Sequence, residues 1–204
     1  MTFPSHQGLI LPVMRWWPNS FDALALSVGA AMPDITDTVL GFLINGYFKQ
    51  WYGHALIGIF TVDLVGGLFI TWLIAGFGKR FLSDAGVSQR LQAFIRKAPS
   101  NHDLVSDTNR VYRPRTRLSL SSFSVLVGIL SHVGFDLVSH NTNLLLYPWY
   151  ENVRWFPGWW YTTWFEIHPL LMSGQSYSVG IFSVIWCLLT LLGIFLFIRF
   201  LSPK

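Results

Sequence analysis

The chain has 204 residues, of which 52% are hydrophobic, 17% aromatic and only 12% charged. Soluble domains carry about 25% charged residues, so this composition excludes an ordinary soluble globule, and its apolar content excludes a disordered chain. A single cysteine excludes a disulfide scaffold, and the net charge of +4 does not indicate a nucleic-acid partner, because the basic residues cluster where membrane topology places them. Residues 1–204 are therefore predicted to form one integral membrane domain.

The N-terminal part of the chain predicts a short helical hairpin. Its two apolar segments, 9–14 and 21–32, are too short to cross a bilayer, and the charged, aromatic sequence around Arg15 between them predicts a turn. Backbone that turns at membrane depth needs protein around it. We therefore expect the hairpin to pack among the spanning helices, with His6 and Asp34 on the same side of the membrane.

Three longer apolar segments predict helices that span a membrane. Each is close to the roughly 20 residues that a bilayer core requires. The predicted spans are 55–77, 118–138 and 179–198. Ionisable residues interrupt the first two, and we expect Asp63, in the middle of the first, to be paired inside the bundle with Arg15 or a backbone donor. The predicted fold is an all-α, small multi-helix membrane bundle with an N-terminal hairpin.

The only long polar stretch, residues 78–117, contains nine of the 14 Lys and Arg residues. The positive-inside rule predicts that this stretch is a cytoplasmic loop. The stretch 141–178 then lies outside, and its five Trp residues predict an interfacial aromatic cap at the outer face. The lipid bilayer is accordingly the first expected partner of this multi-pass chain.

This topology places most of the histidines at the outer face. Five of the six His residues fall there, together with two Asp residues. They are His6, His54, His132, His140, His168, Asp34 and Asp136. Ionisable groups in membrane segments indicate function by default, and His with Asp is a ligand set that zinc prefers in catalytic sites. The structural alternatives are a hydrogen-bonded interface residue for each His and a helix cap for Asp34 or Asp37.

The densest part of this set lies at the end of the second predicted span. His132 and Asp136 are four residues apart, so they share one face of a helix and can bind one ion. His140 is eight residues from His132, which is about 12 Å along a straight helix axis. The three side chains cannot bind the same ion if the helix continues. Either the helix breaks near Ser139, or His140 serves a second ion or the substrate.

Four motifs follow one another in a recognisable order. They are Ser5-His6, Met32-Pro33-Asp34, Gly53-His54-Ala55-Leu56-Ile57-Gly58, and Ser131-His132 with Asp136 and His140. As an ordered set that spans nearly the whole chain, they resemble a family of bacterial integral membrane proteins of unknown function. That family is distantly similar to the membrane-bound metal-dependent hydrolases of bacterial inner membranes and to zinc-dependent phospholipase C.

The resemblance implies an all-helical hydrolase of phosphate esters with clustered divalent ions in the inner (cytoplasmic) membrane, and the topology predicted above has its site facing outward. The metal ligands that it implies are His6, Asp34, His54, His132, Asp136 and His140. The metal-dependent hydrolases usually carry a paired His near the position of His54, where this chain has Tyr52 and Gly53. His168 has no secure counterpart in the family pattern.

The expected chemistry is metal-assisted hydrolysis, in which a divalent ion, zinc, lowers the pKa of its water toward about 7. Asp34 is expected as a further ligand or as the base, and His140 or His168 as the acid, because an ordinary His titrates near pH ~6.5. A site at the outer interface suits a phospholipid or a polyprenyl phosphate, and its aromatic rim does not suit nucleic acid. The alternative is a non-catalytic membrane protein whose His/Asp cluster binds a structural metal or carries protons.

Overall fold

The computed structural model of the protein describes residues 4–17, 20–45, 52–84, 114–140, 144–150, 153–167 and 177–201. Most of these residues are helical. The helices are α1 (Ser5–Ile10), α2 (Val13–Trp16), α3 (Ala23–Gly29), α4 (Met32–Asn45), α5 (Leu56–Gly58), a π-helical turn (Ile59–Asp63), α6 (Leu64–Asp84), α7 (Pro114–Ser139) and α8 (Ile181–Leu201). A 3₁₀ turn (Gly158–Tyr161) precedes two strands, β1 (Thr163–Ile167) and β2 (Tyr177–Gly180).

Three helical stretches are long and apolar enough to cross a membrane. They are Leu56–Ala75, Leu118–Ser139 and Ile181–Phe200, and they coincide with the three predicted spans. Helices α3 and α4, which are bent by 44° at their junction, would add a fourth if they form one broken span. The second segment of the predicted hairpin, 21–32, contains the end of one helix and the beginning of the next. Helix α3 ends at Gly29, and α4 begins at Met32 with Pro33 in its first turn. Proline fits there because the first N–H groups of a helix have no intrahelical partner.

The expectation of an all-α fold is incomplete, because β1 and β2 pair as an antiparallel two-stranded sheet. The sequence of β1, Thr-Trp-Phe-Glu-Ile, is rich in the aromatic and β-branched residues that favour extended backbone. The sheet lies largely within the predicted aromatic cap, 141–178. Most of the predicted basic loop, residues 85–113, is outside the described residues.

The N-terminal hairpin lies among the long helices, with α1 packed against α8 and α3 packed against α7. Glycine permits both crossings. A Cβ atom on Gly8 would meet the carbonyl oxygen of Gly193, and a Cβ atom on Gly128 would meet the carbonyl oxygen of Leu26. Close backbone approach at small residues is typical of helix pairs in membranes. These crossings hold the hairpin against the bundle.

Asp22 fixes the beginning of α3 to α7. Its side chain accepts a hydrogen bond from the backbone N–H of Ala25 at 3.1 Å, which is the geometry of an N-cap. The Ser121 hydroxyl on α7 also donates to this carboxylate, at 3.1 Å, and the backbone N–H of Asp22 donates to the hydroxyl of Ser124 at 2.8 Å. The position of α3 along α7 is thereby defined by polar contacts.

The apolar core forms where α3, the beginning of α4, the π-helical turn and α7 meet. Its buried members are Leu24, Ala25, Val28, Met32, Ile59, Val125, Ile129 and Val133. Ile129 and Val133 lie on α7 on either side of His132 in the sequence. The core therefore borders the polar residues that the sequence selected as candidate ligands.

Two glycines on α7 offer a matched test of the crossing with α3. Gly128→Ala places a methyl group against backbone, and overpacking of this kind costs about 1–3 kcal/mol. At about 2–4 °C per kcal/mol for a chain of this size, we expect the melting temperature in detergent to fall by several degrees. Gly134→Ala meets no atom within 4 Å and should leave it unchanged or slightly raised, because Ala is the better helix former. An equal loss in both variants, measured by circular dichroism melts, would contradict the close crossing.

Candidate metal centre

Six side chains selected from the sequence meet at one place in the fold. They come from α1, α4, the turn before α5, and the end of α7. They are His6, Asp34, His54, His132, Asp136 and His140. Four of the six are buried, whereas the side chains of Asp34 and His140 are 37% and 25% exposed. The other candidate, His168, lies outside the described residues.

The tightest group is a triad of two histidines and one carboxylate. His54 Nε2 lies 3.2 Å from His132 Nε2 and 3.0 Å from Asp136 Oδ2. His132 Nε2 lies 3.4 Å from the same oxygen. Ligand atoms at zinc bond lengths of about 2.0–2.1 Å around a tetrahedral ion are roughly 3.3–3.4 Å apart. The three atoms therefore have nearly the spacing that one zinc ion requires.

The other ring nitrogen of each histidine is already committed. His132 Nδ1 donates to the backbone carbonyl of Ala30 at 2.8 Å, and His54 Nδ1 donates to Asp37 Oδ2 at 2.7 Å. These bonds fix the ring orientations and leave the Nε2 lone pairs aimed at the triad. Metal-binding histidines are generally held by an outer carbonyl or carboxylate of this kind.

Asp37 is the site residue that sequence reasoning misses, since its position beside Pro33 and Asp34 predicts only a helix cap. It is buried, and its second oxygen, Oδ1, accepts a hydrogen bond from the backbone N–H of Gly53 at 2.7 Å. One carboxylate thus holds both the His54 ring and the turn that carries it. The available sequence signal was the spacing of three residues from Asp34, which puts both carboxylates on one face of α4.

The electrostatics of the triad favour a positive charge at His54. Burial by itself lowers the pKa of His54, but hydrogen bonds to Asp136 and Asp37, together with their negative charges, raise it to about 10. A proton satisfies that preference, and so does a divalent cation bound in its place.

A second triad overlaps the first. The ring of His6 stacks on that of His132 with centroids 3.7 Å apart, and Asp34 Oδ1 lies 3.7 Å from His132 Nε2. These three residues also have ligand atoms within 4.8 Å of one another. Because His132 Nε2 has a single lone pair, it can bind one ion at a time. The two triads are therefore alternative positions for an ion that uses His132.

His140 reaches the cluster through Asp136. Helix α7 ends at Ser139, and His140 Nδ1 lies 3.5 Å from Asp136 Oδ1, the oxygen that also faces His6 Nε2 at 3.5 Å. Burial lowers the pKa of His140 although the Asp136 carboxylate opposes that shift. Burial thus works against the protonated form that the predicted role of His140 as a proton donor requires, and that role stays a prediction.

Asp63 lies beyond the cluster and is paired inside the bundle, as its position in a span predicted. Its described partner is a side-chain hydroxyl and not a backbone donor: Thr36 donates to Asp63 Oδ1 at 2.5 Å. The side chain of Arg15, the other expected partner, lies outside the described part of the chain. Asp63 ends the π-helical turn, a feature that is frequent at functional sites. Thr36 and Asp37 are neighbours on α4, so adjacent residues connect this helix to both ends of segment 54–63.

Comparison with known proteins gives a family for the chain. A family model described as a domain of unknown function, DUF4184, matches residues 1–202. The chain belongs to the DUF4184 family. No curated protein and no solved structure matches it. The matched region of this DUF4184 chain contains every residue of the His/Asp cluster, and the family description assigns no activity to it.

The contact between Asp37 and His54 predicts an effect on metal affinity. Asp37→Asn removes the negative charge beside the His54 ring and leaves one acceptor oxygen for two donors, His54 Nδ1 and the Gly53 N–H. We therefore expect zinc affinity to fall about 10–100-fold. The measurement is competitive zinc titration of the detergent-purified protein. Asp22→Asn is the matched control, because Asp22 is equally buried but caps α3 near Ser124, and Asn caps well. Equal affinity in both variants would contradict a role of Asp37 in positioning His54.

Proposed function

We propose that this chain is a membrane-embedded, metal-dependent hydrolase of phosphate esters, with zinc held by His54, His132 and Asp136. The observation that carries the proposal is the convergence of the three ligand atoms, with both Nδ1 atoms committed to outer partners. Three protein ligands with one open position are typical of catalytic zinc, whereas structural zinc is closed by four. Asp34, whose side chain is partly exposed, has its Oδ1 3.7 Å from His132 Nε2, beside these three ligand atoms.

We further propose that the three apolar helices cross the cytoplasmic membrane of a bacterium and that the cluster faces outward. The support is the concentration of nine of the 14 Lys and Arg residues in 78–117, which the positive-inside rule assigns to the cytoplasm. The C-terminal end of α7, which carries the cluster, then lies at the outer side. A site at that level suits a phospholipid or a polyprenyl phosphate, because the tail stays in the bilayer while the phosphate reaches the ligands.

The residues divide the chemistry of hydrolysis between them. His54, His132 and Asp136 would hold the zinc ion, which would supply a nucleophilic water near neutral pH and stabilise charge on the phosphoryl oxygens. Asp34 accepts the proton of the water that attacks phosphorus, and the same proton reaches the leaving oxygen as the P–O ester bond breaks. His140 is the neighbouring acceptor, and it contacts Asp136 on the side away from His54. His168 stays a candidate acid on sequence grounds alone.

The alternative function is a non-catalytic membrane protein in which the same cluster holds a structural metal or carries protons. The burial of His6, His54, His132 and Asp136 favours it, because a closed, water-poor site resembles a structural one. Asp34 distinguishes the hydrolase from a structural metal site, since a structural metal does not need an accessible carboxylate beside its ligands.

The metal content of the purified protein tests the ligand assignment. We expect about one equivalent of zinc per chain in the wild type and loss of most of it in His132→Ala, because His132 belongs to both triads. The measurement is inductively coupled plasma mass spectrometry after chelator-free purification in detergent. His102→Ala is the matched control, because His102 lies in the predicted basic loop. Equal zinc in the wild type and both variants, or none in any of them, would be incompatible with the proposed site.

Asp34→Asn tests catalysis separately from metal binding. We expect this variant to keep its zinc but to hydrolyse phospholipid or polyprenyl phosphate roughly 10²–10⁴-fold more slowly, the usual contribution of a general base. Turnover is followed as phosphate or headgroup release in detergent–lipid micelles. Full activity in Asp34→Asn would remove Asp34 from the mechanism. A wild type that binds zinc, melts at a lower temperature without it and hydrolyses neither substrate would support the structural alternative.

A further inference from the structure

The β1–β2 sheet has two chemically different faces. Phe165 pairs with Val179, and Glu166 pairs with Ser178. Since successive side chains of a strand point to opposite faces, Phe165, Ile167 and Val179 share one face, and Glu166 and Ser178 share the other. The irregularity in the register lies between Thr163 and Phe165, before these pairs, so it leaves their alternation intact. The sheet is amphipathic over the paired residues.

The β1 part of the apolar face is uncovered by the described residues, whereas Val179 on β2 is half-buried. Phe165 and Ile167 are 56% and 49% exposed, and every residue of β1 is exposed. A two-stranded hairpin is at best marginally stable in water without a surface to pack on. The apolar face therefore requires a partner outside the described part of this chain.

Chain continuity places the sheet at the end of a candidate span. Gly180 ends β2, and Ile181 begins both α8 and the apolar stretch Ile181–Phe200. At about 3.3 Å per residue, the four residues of β2 keep the sheet within roughly 13 Å of that end. Trp159, in the 3₁₀ turn before β1, is also exposed, as is typical of side chains at a membrane interface.

The partner that fits this position is lipid. Only 11% of the apolar stretch of α8 is buried inside the protein, so most of that helix needs an apolar environment on its outer surface. Because β2 ends at Gly180 and α8 begins at Ile181, lipid that surrounds this end of α8 would also contact the sheet. A lipid interface also suits both faces of the sheet at once, since it is apolar on one side and hydrated on the other.

We propose that the β1–β2 sheet lies flat in the membrane interface, with the Phe165, Ile167 and Val179 face toward the acyl chains and the Glu166 and Ser178 face toward water. The sheet would act as an anchor beside α8. This inference rests on the membrane location given under Proposed function and is independent of the metal site and of hydrolysis.

Adjacent residues on opposite faces supply a matched test. In a Cys187→Ser background, which removes the single native cysteine, Phe165→Cys and Glu166→Cys are labelled with an environment-sensitive nitrobenzoxadiazole dye. The full chain is incorporated in phosphatidylcholine nanodiscs with and without brominated acyl chains. We expect blue-shifted emission that brominated lipid quenches strongly at position 165. Red-shifted emission that aqueous iodide quenches is expected at position 166.

A second pair and a reference label keep the result interpretable. Ile167→Cys and Ser178→Cys repeat the comparison if either first variant folds poorly, and Leu188→Cys reports whether α8 itself contacts lipid. Quenching by lipid at 188 but by iodide at both 165 and 167 would overturn the anchor while leaving the membrane location intact. Protection of 165 and 167 from both quenchers would also overturn it, because a protein partner then covers the face. Absence of lipid quenching at 188 would overturn the membrane location as well.

Discussion

The close contact between α3 and α7 is the constraint on which the candidate site depends. Gly29 and Gly128 let the two backbones approach where a Cβ atom would collide with main-chain atoms. That approach brings the carbonyl of Ala30, at the end of α3, to His132 Nδ1. The last carbonyls of a helix have no intrahelical partner, so this one is available as an acceptor. The orientation of His132, which belongs to both triads, therefore follows from backbone packing.

Buried charge explains the composition of the rest of the cluster. His54 contacts Asp37 through one ring nitrogen and Asp136 through the other. A positive charge at His54 therefore offsets the cost of burying both carboxylates. Asp136 in turn divides its two oxygens between different histidine pairs. A cluster of this kind needs a proton or a metal ion to be stable inside an apolar bundle.

The two ends of the chain contribute to the site by different routes. Helix α1 carries His6 into the cluster because Gly8 allows it to lie against α8 at Gly193, although the two helices are distant in sequence. Helix α8 contributes no member of the cluster among the described residues and presents most of its surface outward. Its roles are to support α1 and to continue into the amphipathic sheet.

The sequence by itself determined the features that arise from local order. Apolar length gave the three candidate spans, and helical periodicity put His132 and Asp136 on one face, because both depend only on neighbouring residues. The selection of the ligand candidates also needed only residue type and the order of motifs. The tertiary structure decided which of them meet, that Asp37 supports His54, and that β1 pairs with β2. Those features come from contacts between segments that are distant in the sequence. Such contacts form only when the helices cross and the strands pair in the folded chain.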